Sequence, residues 1–67
     1  MDREERELFA ELSHIRDRLE KQEQLFNLAT DGDEIEALIF EEKALSLRYS
    51  SLLRRARELG IKGISYY

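Results

Sequence analysis

Apolar residues fall along the first half of the chain at Leu8, Leu12, Ile15, Leu19, Phe26 and Ala29, with Gln22 in the one gap. The steps alternate between four and three, the spacing of a single stripe on a helix that packs as in a coiled coil. The second half repeats the pattern at Ile35, Leu38, Leu45, Tyr49, Leu52, Ala56 and Leu59, and Glu42 is its one polar intruder. Thr30-Asp31-Gly32-Asp33 interrupts the period. Asp2, with Glu5 three residues on, predicts the N-cap of the first helix. Gly32 is expected to take a left-handed conformation at that helix's C-terminus, and Asp33 to cap the second helix with Glu36 at its third position. Gly60 should stop the second helix, with Ile61 set against Ala56 in a Schellman motif.

These signals predict an all-α chain, one antiparallel two-helix hairpin over residues 1–67. Its elements are helix one at about 3–30, a turn at 30–33, helix two at about 34–59 and a tail at 60–67. The tail contains Gly63 and shows no period, so residues 63–67 are expected to be loose, and the sequence leaves the role of Ile64–Tyr67 undefined.

A short turn makes the helices antiparallel, so facing residues have position numbers with a constant sum. A sum of 64 pairs Ala29 with Ile35, Phe26 with Leu38, Leu19 with Leu45, Ile15 with Tyr49, Leu12 with Leu52 and Leu8 with Ala56. The same register places Gln22 and Glu42 in one polar layer, where Gln22 is expected to donate to the carboxylate and the pair to set register, with ligand binding at Glu42 as the alternative. A two-helix seam buries one stripe only, and small scaffolds need further support. Phe9, Ile39 and Leu53 lie beside the seam, and Leu25, Leu28, Phe40, Ala44 and Leu47 lie outside it. Phe40, Ala44 and Leu47 follow one another by four and three on the back of helix two, where an isolated hairpin would carry charge. That face predicts a homodimer, closing into a four-helix bundle, or docking of a protein partner.

Charged residues make up 39% of the chain and hydrophobic ones 42%, too apolar for a disordered tail and charged enough to solvate long helices. Cysteine is absent, which removes disulfides and thiolate metal sites. The longest apolar run is Ala37–Phe40, far short of a membrane span, and the acidic start is unlike a secretory leader, so the expected location is cytoplasmic. The net charge of −4 is unevenly spread: −3 over residues 1–30, −5 over 31–47 and +4 over 48–67. Acids at the start of helix two and arginines at its end complement the helix dipole.

The stretch from Asp33 to Arg57 resembles the YaaL-like family of small uncharacterised bacterial proteins, found mainly in Firmicutes. The resemblance lies in the aspartate-bearing turn, the pair Ile39-Phe40 and the block Arg48-Tyr49-Ser50-Ser51-Leu52-Leu53-Arg54-Arg55-Ala56. It implies a bacterial, cytoplasmic setting and brings no activity, cofactor or ligand with it.

Two features invite a chemical reading. Glu11 and His14 have the Glu-x-x-His spacing of carboxylate-bridged metal bundles, but Leu12 and Ile15 own the seam and turn both toward the flank. The chain has one histidine, so a convergent ligand set is not expected and neither is a cofactor. No phosphate loop, nucleophile elbow or oriented acid–base pair is present, so the chain is not expected to be an enzyme. Arg48, Arg54, Arg55 and Arg57 are candidates for an anion or a partner; no aromatic platform interleaves them, and the acidic remainder would repel a polyanion. The expectation is therefore an interaction or adaptor module, with a nucleic-acid-associated accessory factor using the basic end as the alternative.

Overall fold

A computed structural model describes residues 2–61, and the expectations for the tail beyond Ile61 lie outside the described residues. Two helices, α1 (Arg3–Leu28) and α2 (Gly32–Glu58), pack antiparallel in a hairpin 44 Å long. Asp2 caps α1 as its spacing predicts: backbone extended at φ −78° and ψ 174°, its carboxylate accepts from the Glu5 N–H at 2.8 Å.

The turn differs from expectation at both ends. α1 stops at Leu28, and Ala29 is already extended, its N–H bonding back to the Phe26 carbonyl at 3.3 Å. The cap of α2 is Asp31, not Asp33: Asp31 is extended and its carboxylate accepts from the Asp33 N–H at 3.1 Å. Gly32 is therefore the first residue of α2, and its φ is not positive. Capping there leaves Asp33 and Glu34 in the first turn, next to the positive end of the helix dipole. A Cβ at Gly32 would meet nothing within 4 Å. Gly32→Ala should thus stabilise the hairpin by ~0.4–1 kcal/mol, because alanine loses less freedom on entering a helix. A left-handed glycine there would give a loss instead, so urea unfolding separates the two geometries.

The end of α2 is as predicted. Gly60 has φ 74°; its N–H bonds to the Arg57 carbonyl and the Ile61 N–H to the Ala56 carbonyl, both at 3.0 Å, which is the Schellman pattern.

The core sits at one end. Leu8, Leu12 and Ile15 form a buried cluster with Tyr49, Leu52, Leu53 and Ala56, against which Phe9, Leu19, Leu45, Leu59 and Ile61 pack. This cluster joins both members of three seam pairs expected from the sequence. Toward the turn the packing thins, and only Leu38 and Gln22 are buried there among the described residues. Phe26, expected in the seam opposite Leu38, is 40% exposed. Tyr49 is 5% exposed, and its hydroxyl accepts from the Arg16 guanidinium at 3.1 Å, which satisfies the polar tip of a buried ring.

Candidate interaction surface

One flank of the seam carries a ladder of ion pairs between the helices. Glu4 meets Arg55, Glu11 meets Arg48, and Arg18 meets Glu41 at 2.8 Å. The positions step by seven along each helix and add to 59 in every pair. The side chains involved remain 41–58% exposed. Each rung is therefore worth ~0.2–1 kcal/mol. Their order matters more than their strength. The first two rungs have the acid on α1, and the third has it on α2. Sliding the helices by one heptad would set Glu11 against Glu41 in one direction, or Arg18 against Arg48 in the other. The ladder thus selects this register by penalising its neighbours.

That ladder changes the reading of the basic end. Arg48 and Arg55 are engaged by carboxylates of the same chain. Arg54 is exposed and forms no ion pair among the described residues, while Arg57 is exposed beside it on the last turn. Glu11, one half of the Glu-x-x-His spacing, is the partner of Arg48, and His14 is exposed. No group of three or more His, Cys, Asp or Glu converges among the described residues.

The other flank is open. A shallow groove of about 430 Å³ runs between the helices, floored by Leu19 and Tyr49 and edged by Arg16, Glu20, Glu23 and Glu42. Glu42 corrects the expected polar layer. It is exposed at the groove edge, whereas Gln22 is 6% exposed, and its Oε1 meets no hydrogen-bond donor among the described residues. The two do not bond to one another. The division follows solvation: an ionised carboxylate loses more than a neutral amide on leaving water, so the carboxylate takes the wet edge. The amide stays in the seam without its expected partner.

The exposed apolar residues are the third feature. Leu25, Phe26, Leu28, Ile39, Phe40 and Leu47 are all 39–78% exposed, and Ala44 is exposed between the last two. Five of the six lie between positions 25 and 40, next to the turn, and Leu47 stands just past the middle of α2; beyond it, toward the far end, every described Leu, Ile, Phe and Tyr is buried or half-buried. The sequence pattern had placed Leu25, Leu28, Phe40, Ala44 and Leu47 outside the seam. Phe26 was missed, because periodicity assigns a face and does not show how closely the helices approach.

A family model of proteins of unknown function, DUF2508, matches residues 1–63. The chain belongs to the DUF2508 family. No curated protein and no solved structure matches it. For this DUF2508 hairpin the match spans both helices and the turn, so the ladder, the groove and the exposed apolar half all lie inside the family region. No helix among the described residues is long and apolar enough to cross a membrane.

Proposed function

We propose that the hairpin is a protein–protein interaction or adaptor module that docks through its turn-proximal half, in a bacterial cytoplasmic setting such as the YaaL-like resemblance implies. The observation that carries this reading is the uneven exposure of the large apolar residues. The end away from the turn buries its own, while five near the turn, and Leu47 at the middle of α2, are presented to solvent. Phe40 and Leu47, 65% and 67% exposed, sit on the back of α2, where the antiparallel partner helix cannot reach. Large apolar side chains left exposed in one region of so small a domain mark a surface for association. The module has no catalytic part in this reading. The nucleic-acid alternative is weaker, since Arg48 and Arg55 already neutralise Glu11 and Glu4.

A photoreactive amino acid at position 40, compared with one at the exposed Ala10 in the other half, tests the reading in living cells. Position 40 should yield discrete protein adducts, either to this chain or to another, and position 10 should yield none. Equal labelling at the two positions, or no adduct at position 40, would contradict a docking role for this half.

A further inference from the structure

We propose that the outer face of α2 pairs with the same face of a second copy of this chain, antiparallel about a two-fold axis near Ala44. The inference rests on the docking role of the turn-proximal half and adds which partner covers it, and in which direction. The face runs Asp33, Ala37, Phe40, Ala44, Leu47, Ser51, Arg54 in steps of four and three, and all seven residues are exposed. It starts with an acid, ends with a base, and carries its two large apolar residues symmetrically between them. Reversed and laid on itself, it brings Asp33 to the partner's Arg54, and Phe40 to the partner's Leu47. Both contacts then occur twice, the self-complementary arrangement a closed two-fold dimer requires. The small residues Ala37, Ala44 and Ser51 allow the two helices to approach closely.

Charge favours a second copy over an unrelated partner. Antiparallel pairing sets Asp33 of each α2 on the partner's Arg54, which the ion-pair ladder leaves unengaged, whereas Arg48 and Arg55 are already held by Glu11 and Glu4. Parallel pairing would set Asp33 on its own copy. Arg54 has no ion pair within the described part of its own chain, so it is available to a carboxylate across the interface. The helix dipoles also oppose one another in this arrangement.

Sedimentation equilibrium on the full chain tests the pairing. Asp33→Arg and Arg54→Asp should each weaken the dimer about tenfold, because each places like charges at both ends of the interface. The combined exchange should restore it to within about threefold, because the reversed pair again attracts. Circular dichroism on each variant checks that the helices persist. Direction is read separately, since a single introduced cysteine is unique in this chain. Nitroxides at Lys43→Cys, beside the axis and off the paired face, should lie close together, and those at Glu58→Cys roughly 40–45 Å apart at 1.5 Å rise per residue. Short distances at both sites would overturn the antiparallel pairing. A dimer that Phe40→Glu dissociates but neither charge reversal weakens would also overturn it, while leaving the docking role intact. A monomer at high micromolar concentration would overturn the second-copy proposal, and adducts at position 40 would then still decide the docking role by themselves.

Discussion

Leu12→Ala should leave the chain largely unfolded in dilute solution at room temperature. Leu12 is 4% exposed and belongs to the single cluster that joins the two helices. Truncating a buried leucine costs ~2–5 kcal/mol, from lost transfer energy and from the cavity left behind. A scaffold of this size rarely has more than about 3–5 kcal/mol to lose. With one interface and no second layer, neighbouring side chains have little to collapse onto. Phe40→Ala, a larger truncation at a residue 65% exposed, should change the dilute protein by less than about 0.5 kcal/mol. Urea unfolding followed by circular dichroism measures both. Comparable losses for the two would mean that the packing is not confined to the end away from the turn.

Gln22→Leu should raise stability by ~1–3 kcal/mol, which is the cost of leaving a buried polar group without its hydrogen bond. The substitution keeps a similar volume and extends the apolar stripe of α1 through its one gap. Glu42→Leu should change the monomer little, because Glu42 stands at the exposed groove edge. The two changes should be additive within about 0.5 kcal/mol, since no hydrogen bond connects the side chains. A coupling well above that would show that Gln22 and Glu42 share a layer after all. A loss of stability in Gln22→Leu would show instead that the amide has a partner in solution.

The helices and their pairing were legible in the residue pattern because the alternation of four and three admits one buried stripe per helix. A short turn then leaves only one way to oppose the two stripes. The Schellman end was legible because Gly60 and Ile61 stand where that motif needs a left-handed residue followed by an apolar one. The start of α2 was not: Asp31 and Asp33 are equally good caps in one dimension, and Gly32 suits either a left-handed stop or a first helical turn. Backbone direction decided between them. Glu42 was misplaced because a seam register fixes the level of a residue and leaves its side chain free to swing toward water. The ion-pair ladder was readable and was missed. Glu4, Glu11 and Arg18 recur every seven residues, as do Glu41, Arg48 and Arg55, with signs that match only in antiparallel order. Of the exposed apolar surface, Phe40, Ala44 and Leu47 came directly from the period. The thin packing around Phe26 and Leu25 depends on how closely the helices approach, which no spacing encodes.

The hairpin is packed at the end away from the turn and is expected to be completed by association at the other. Residue-resolved amide hydrogen exchange, followed from dilute to concentrated protein, tests it most directly. Residues 8–15 and 49–56 should be protected at every concentration. Residues 19–28 and 32–45 should exchange faster in dilute solution and slow as concentration rises. Equal protection of the two halves in dilute solution, unchanged on concentration, would contradict the claim, for the hairpin would then be complete by itself.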